Sequence, residues 1–345
     1  MATYPERKPT RRKQTSKQSV EDVQAVYAAK YESMQGVPWN AYLDFLELNN
    51  AVTIEGKAIK LRGHTRPKIL QPENFTTETT TLWSFPKRGK WATHASGYRG
   101  NWAPQIARNI IERYSEPGDT VLDQMVGGGT TMVECALTDR TGIGVDVNRD
   151  SLMITWDRLN FDIPHSEDAA IIRAAAENVL LYQGDARNLD RIAGDSVDLV
   201  ATHPPYANII RYTNGVGGPL SGDLSKVRSI ADYAVEMGRV AAEAYRVLKP
   251  DRYCAILMGD TRRSKHYTPI AYRVMDAFLQ AGFILKEDII KAQWNTTTEG
   301  LWQRKSREHN FLLIMHEHLF IFRKPQDGED VRPFKESAAR SATFS

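Results

Sequence analysis

Cysteine is scarce in this 345-residue sequence, in which Cys135 and Cys254 are the whole complement. Two cannot build a disulfide framework or a cysteine-rich zinc site, and such sparing use fits a reducing cytoplasm. Long apolar runs are missing too. No stretch approaches the ~18–20 apolar residues that cross a bilayer, and the basic amino terminus has no apolar run behind it. Neither a membrane span nor a secretory signal is therefore expected, and the expected location is cytoplasmic. A dominant charge is also lacking: 45 Lys and Arg stand against 42 Asp and Glu, leaving +3. That balance permits a polyanionic partner without demanding one. With 41% hydrophobic and 25% charged residues, the chain has enough apolar matter for one large domain with additions, or two domains. A wholly disordered chain and a fibre are excluded.

Six basic residues (Arg7, Lys8, Arg11, Arg12, Lys13 and Lys17) crowd the start of the chain with nothing apolar to pack. Residues 1–19 read as a disordered basic arm, either merely solvated or lying on polyanion phosphates. Residues 20–80 read as a small helical region, with Val23, Val26, Tyr27, Tyr42, Phe45 and Leu46 at helical spacing, followed by a connector with Pro67 and Pro72. From 81 to 325, short β-branched runs alternate with helical ones, the signature of a parallel sheet covered by helices. Strands are expected at Thr120–Met125, Gly142–Val147, Val179–Gly184, Val197–Thr202, Tyr253–Met258, Phe283–Lys291 and Phe311–Arg323. Helices are expected at Ile106–Tyr114, Thr131–Asp139, Ser151–Leu159 and Ile230–Leu248. This predicts an α/β fold with a doubly wound, mainly parallel seven-stranded sheet ending in an antiparallel hairpin. Residues 326–345 read as a polar tail.

The first strand ends at Asp123 and runs into Gly127-Gly128-Gly129-Thr130-Thr131 before a helix. Glycines there let a ligand approach the backbone closely, beside the positive end of the helix. The spacing fits neither a phosphate-gripping P-loop, because no lysine follows, nor a dinucleotide fingerprint, because Met132 stands where the third glycine belongs. Asp123 would repel a pyrophosphate and suits a ligand carrying a sulfonium and an ammonium. The next strand ends at Asp146, 23 residues on, where a carboxylate can accept two hydrogen bonds from a ribose diol. A third ends at Asp185, where the carboxylate or its neighbours can meet an adenine amino group. Singly each acid reads as a cap or a solvated loop residue; in this order they line one crevice.

The fourth strand runs straight into His203-Pro204-Pro205-Tyr206. Two prolines stop a strand, and here they also aim their neighbours rigidly at the sheet end where ligands sit. Methylating an aromatic amine needs such a device, because the nitrogen lone pair is delocalised into the ring. Two acceptors on the amine hydrogens turn that lone pair toward a methyl donor, and an aromatic face receives the flipped base.

In this order the motifs resemble the S-adenosylmethionine-dependent amino methyltransferases of the N4-cytosine and N6-adenine DNA family. Asp123-Gln124-Met125-Val126-Gly127-Gly128-Gly129-Thr130-Thr131 is similar to the family's Asp-Pro-Phe-x-Gly-Ser-Gly-Thr-Thr. His203-Pro204-Pro205-Tyr206 is similar to its Asp/Ser-Pro-Pro-Tyr, and Trp102-Ala103-Pro104-Gln105-Ile106 to the motif beside the methionine end of the cofactor. The resemblance spans about residues 82–324 and implies a Rossmann-like class I methyltransferase with S-adenosylmethionine as cofactor. It implies cofactor contacts from Trp102, Pro104, Asp123, Met125, Gly127, Gly129, Thr130, Asp146 and Asp185, with His203 and the Pro204 carbonyl orienting the target amine, Pro205 shaping the turn and Tyr206 stacking on the base. No metal is called for.

His203 and Gln124 depart from the family pattern, and Thr202 tilts the reading toward cytosine N4 over adenine N6. Double-stranded DNA is the expected substrate. RNA, a protein glutamine, or a binding protein without turnover stay open, as do a specificity or restriction partner and the oligomeric state. Neither cysteine follows a proline as cytosine-C5 chemistry requires, so both read as small buried residues. Residues 208–223 read as a loop over the crevice, with Arg211 and Tyr212 either contacting substrate phosphate and base or decorating the surface. Arg262, Arg263 and Lys265 read as phosphate contacts or surface decoration. His316 and His318 share a strand face as a metal pair would, but lack a third ligand and read as structural.

Overall fold

A computed structural model describes residues 31–98, 100–164, 172–206, 222–227, 229–294 and 299–339. The basic arm, Arg211 and Tyr212 lie outside the described residues. The core is one nine-stranded sheet, whose strands are β1 (Gln35–Gly36), β2 (Leu82–Ser84), β3 (Thr120–Asp123), β4 (Thr141–Asp146), β5 (Val179–Gln183), β6 (Val197–Thr202), β7 (Leu248–Met258), β8 (Ile284–Ala292) and β9 (His316–Arg323). They lie in the order β1-β5-β4-β3-β6-β7-β9-β8-β2. β5, β4, β3, β6 and β7 are mutually parallel, and β9 enters antiparallel between β7 and β8.

The seven expected strands are all present, with ends shifted by a few residues except that β7 begins at Leu248 and β9 at His316. Two short strands extend the sheet, β1 antiparallel on β5 and β2 parallel to β8. At two and three residues they are too short to show an alternating pattern. They cover edges that would otherwise expose unpaired backbone groups.

Helices α1 (Trp39–Leu48), α2 (Pro104–Tyr114), α3 (Thr130–Leu137), α4 (Arg149–Arg158), α5 (Ile230–Val247), α6 (Ile270–Gln280) and α7 (Glu299–His309), with three two-stranded sheets and two 3-10 turns, complete the regular structure among the described residues. The double winding is visible in the alternation of the central strands. Val121, Leu199, Ala201, Leu257, Leu319 and Ile321 pack on one face with Ile106, Ile110, Met132 and Val133 of α2 and α3. Leu122, Val200, Ile256, Phe320 and Phe322 pack on the other with Tyr233, Met237, Val274 and Phe278 of α5 and α6. Cys135 and Cys254 are buried and free, one on each side.

Residues before β2 share this core. Tyr42 donates to Asp157 Oδ1 at 2.9 Å, Trp156 Nε1 donates to the Val37 carbonyl at 2.9 Å, and Trp39 meets Trp156 edge-on at 5.5 Å. The stretch between β2 and α2 is fastened by a buried carboxylate. Glu134 of α3 accepts from Trp91 Nε1 at 2.7 Å, lies 2.6 Å from His94 Nε2 and accepts from Arg108 at 3.1 Å. Strand order reverses between β3 and β6, and it is outside the carboxyl ends of such a pair that open α/β sheets bind ligands.

Candidate active site

Asp123, at the end of β3, ties three elements together. Its carboxylate accepts from Thr131 Oγ1 of α3 at 2.5 Å, Thr202 Oγ1 of β6 at 2.9 Å and the Met125 amide at 3.1 Å. Burial pushes its pKa up to about 6 against the pull of those donors. Gly127 and Gly129 have φ of 52° and 77°, in the left-handed region that side chains rarely adopt. A Cβ on Gly129 would also stand 2.7 Å from Thr155 Cγ2. The loop is held from outside as well, because Gly127 donates its amide to Asp146 at 2.9 Å and Gly128 donates its own to Asn101 Oδ1 at 3.2 Å.

Asp146 closes β4. Its two oxygens accept the Gly127 and Asn148 amides, at 2.9 and 2.8 Å. Each carboxylate oxygen has lone-pair capacity beyond one amide. Burial, with smaller contributions from Asp123 and Asp223, pushes its pKa up to about 7 despite both amides. Asp185, past β5, is paired instead: Arg187 donates to Oδ1 at 2.8 Å and to Oδ2 at 2.6 Å.

The ends of β3, β4, β5 and β6 open on one cleft, the place where open α/β sheets bind ligands. Of the predicted residues Trp102, Asp123, Met125, Gly127, Thr130, Asp146, Asp185, His203 and Pro205 line it. Pro104 opens α2 and is buried, Gly129 caps α3, Pro204 is buried, and Tyr206 is half-buried outside the lining. Tyr98, from an aromatic-rich stretch whose sequence points to the cofactor mouth or the core, lines the cleft too, and sequence reasoning missed Asn101, Gln124, Asn148 and Leu224, which also line it. Asn101 precedes the predicted Trp102, and Asn148 caps α4 by accepting the Asp150 amide at 3.0 Å; that cap was the readable signal.

On the β6 side, His203 Nε2 lies 2.8 Å from Tyr206 Oη, and Trp102 stacks on the imidazole at 5.9 Å and 21°. Burial lowers the His203 pKa to about 4, so the ring is neutral near neutral pH. The Pro205 carbonyl accepts from Tyr233 at 2.7 Å, which fixes the turn. Tyr206 packs so closely on Gly259 that a Cβ there would meet its ring at 2.5 Å. His316 and His318 do share a face, where His318 pairs with Asp288 at 3.0 Å. Glu317, between them on the other face of β9, accepts from Tyr206 at 2.8 Å. Nothing in local sequence joins residue 317 to residue 206. Arg262 is spent on the Leu312 carbonyl, at 2.9 and 2.6 Å, whereas Arg263 and Lys265 are exposed.

A family model described as DNA methylase matches residues 4–156 and 197–342. The chain belongs to this DNA methylase family. Its methyl donor is S-adenosylmethionine. The cleft fits that molecule, since Asn101 Nδ2, Gln124 Oε1 and Thr130 Oγ1 are buried there without hydrogen-bond partners among the described residues, ready for its polar ends. The chain is 31% identical over 94 residues to the type II methyltransferase M.Cfr9I of Citrobacter freundii, covering 26% of this chain and 30% of that protein. It is 29% identical over 94 residues to M.XycI of Xanthomonas campestris pv. cyanopsidis, with the same shares. The matched stretch thus spans under a third of either relative. Among solved structures it is similar to TrmN from Thermus thermophilus, at 17% identity and a TM-score of 0.39 over 66% of this chain and 50% of that one. No helix among the described residues is long and apolar enough to cross a membrane.

Proposed function

We propose that this protein transfers a methyl group from S-adenosylmethionine to an exocyclic amino nitrogen of a flipped base in double-stranded DNA, with cytosine N4 ahead of adenine N6. The observation that carries this is the placement of the His203–Tyr206 turn and the glycine loop on adjacent strand ends facing one cleft. When bound, S-adenosylmethionine supplies a methyl group on a positively charged sulfur that keeps the bonding electron pair as the methyl leaves. Asp146 accepts the ribose hydroxyls. Asn101, Thr130 and the Asp123–Gly127 loop receive the amino-acid end, with Trp102 beside it. Because Arg187 occupies the Asp185 carboxylate, the backbone around Asp185 and the side chain of Leu224 meet the adenine.

His203 and the Pro204 carbonyl each accept one hydrogen of the target amine, pulling its nitrogen toward a tetrahedral shape and freeing the lone pair. A neutral imidazole can serve, because one of its nitrogens is an acceptor. Trp102 holds the ring plane, and Tyr206 offers an aromatic face to the base. Positioning dominates, without a covalent intermediate. A cytoplasmic location follows from this substrate.

The test is incubation of the purified chain with methyl-labelled S-adenosylmethionine and DNA, RNA or protein in parallel, followed by modification-sensitive sequencing of labelled DNA. Label in DNA at cytosine N4 or adenine N6 is expected. Label confined to RNA or protein would replace the reading, and no label anywhere would leave a binding protein.

A further inference from the structure

Four side chains from two strands and one turn form a continuous hydrogen-bonded line that ends at the cleft-lining His203. Lys291 of β8 and Glu317 of β9 face each other across the terminal hairpin, and Lys291 Nζ donates to Glu317 Oε2 at 2.8 Å. Glu317 Oε1 accepts from Tyr206 Oη at 2.8 Å, and Tyr206 Oη lies 2.8 Å from His203 Nε2. The direction of this line follows from the chemistry of its ends. An ammonium only donates and an ionised carboxylate only accepts. The Tyr206 proton therefore points to Glu317, the Tyr206 oxygen turns a lone pair to the imidazole, and Nε2 carries the proton. A neutral imidazole has one N–H, so Nδ1 is left as the acceptor.

We propose that the Lys291–Glu317–Tyr206 line fixes the tautomer of His203, placing its proton on Nε2 so that Nδ1 receives the target amine. This rests on the reading of His203 as the amine's acceptor given above. Lys291 and Glu317 are positioning residues that touch no substrate. Three observations agree with it. His203 Nδ1 is buried without a well-formed hydrogen bond among the described residues. Glu317 would be raised by burial alone, but Lys291 and the groups beside it hold it below the usual carboxylate range, which keeps it an acceptor. Trp102 stacked on the ring prevents a flip that would exchange the two nitrogens. The opposite tautomer would gain a bond from Nδ1–H to the Gly100 backbone, but it would turn the Tyr206 proton away from an ionised carboxylate 2.8 Å distant.

The experiment uses the full chain labelled with ring-¹⁵N histidine, whose tautomers are distinguished by long-range ¹H–¹⁵N correlation. The signal of His203 among 8 histidines is assigned from the spectrum of His203→Asn. The wild type should show Nε2–H. In Glu317→Gln, whose amide can donate to Tyr206, and in Tyr206→Phe, which cuts the line, the proton should redistribute toward Nδ1. In Glu317→Gln kcat for DNA methylation should fall about a hundredfold, while the Kd for S-adenosylmethionine stays within about twofold. A purely structural role for Glu317 would not move the tautomer, and if Glu317→Gln fails to fold, Tyr206→Phe carries the same readout. Nδ1–H in the wild type, or an unchanged tautomer in the folded variants, would overturn the relay even if DNA is methylated. Absence of methyl transfer to DNA by the wild type would instead overturn the reading beneath it, whatever the tautomer.

Discussion

Affinity for S-adenosylmethionine should weaken as the solution is made acid across pH 7, and Asp146 is the group responsible. Its carboxylate accepts two backbone amides, yet burial, with smaller contributions from Asp123 and Asp223, still carries its pKa to about 7. A ribose diol donates to the ionised form, so only the deprotonated cleft binds at full strength. For a single group titrating near 7, the apparent Kd rises by only about a tenth at pH 8. It rises about elevenfold at pH 6 and about a hundredfold at pH 5. Asp123 also titrates in this range, at about 6, so the control is Asp146→Asn. That variant exchanges a charged acceptor for a neutral one, which costs about 1–2 kcal/mol or about 5- to 30-fold in Kd at pH 8, and it should flatten the curve above pH 6.

The same group has a signature in the free protein. Its folded-state pKa lies above the ordinary carboxylate value, so the native chain binds more protons between those two values. This contribution to stability is present at acid pH and is lost as pH rises through about 7. Saturating cofactor should therefore raise Tm more at pH 8 than at pH 6. Titration calorimetry from pH 5.5 to 8.5 reads the binding curve directly. A Kd that is flat across pH 6 to 8, or a slope retained in Asp146→Asn, would refute the assignment.

Removing the Glu134 carboxylate as Glu134→Ala should destabilise the fold by about 2–4 kcal/mol, because it leaves the buried Trp91 and His94 rings without their acceptor while Arg108 keeps only Glu112, at 2.7 Å; urea unfolding at constant m-value reads this. Gly129→Ala combines a φ of 77° with a Cβ 2.7 Å from Thr155, and thermal unfolding should show a loss of about 1–3 kcal/mol with weaker cofactor binding. Gly259→Ala, by pushing on the Tyr206 ring, should lower kcat while leaving the Kd for S-adenosylmethionine within about twofold; an unchanged kcat counts against a placed Tyr206. DNA affinity should fall steeply with salt, by a slope of about −0.9 per phosphate contacted, and deleting residues 1–19 should make that slope shallower; an unchanged slope removes the arm from the interface.

Much of the fold was legible because its signals are local. Val197–Thr202 was bounded to the residue, since a β-branched run ending in two prolines permits little else. The ends of β3, β4 and β5 could be read from single acids before turn residues, and nine of the named site residues line the cleft. The edge strands β1 and β2 were invisible because strands of two and three residues carry no period. Sequence places Asp185 or its neighbours near the adenine, and only the side-chain contacts show that Arg187, two residues on, holds the carboxylate. Arg262 likewise looked like a phosphate contact until the Leu312 carbonyl, 50 positions away, was found on its guanidinium.

The sequence by itself determined the alternation of strands and helices, the glycine loop, the ordered acids and the His-Pro-Pro-Tyr turn, because each depends on neighbours within a few residues. Only the tertiary structure decided which of these groups are available and which are already engaged. Asp123 is clamped by Thr131 and Thr202, whereas Asp146 accepts only backbone amides among the described residues. His203 and Glu317 lie 114 positions apart in the chain, yet one hydroxyl bridges them. Hydrogen-bond direction and burial depend on the closest atoms in space, and in a doubly wound sheet those atoms come from strands far apart in sequence.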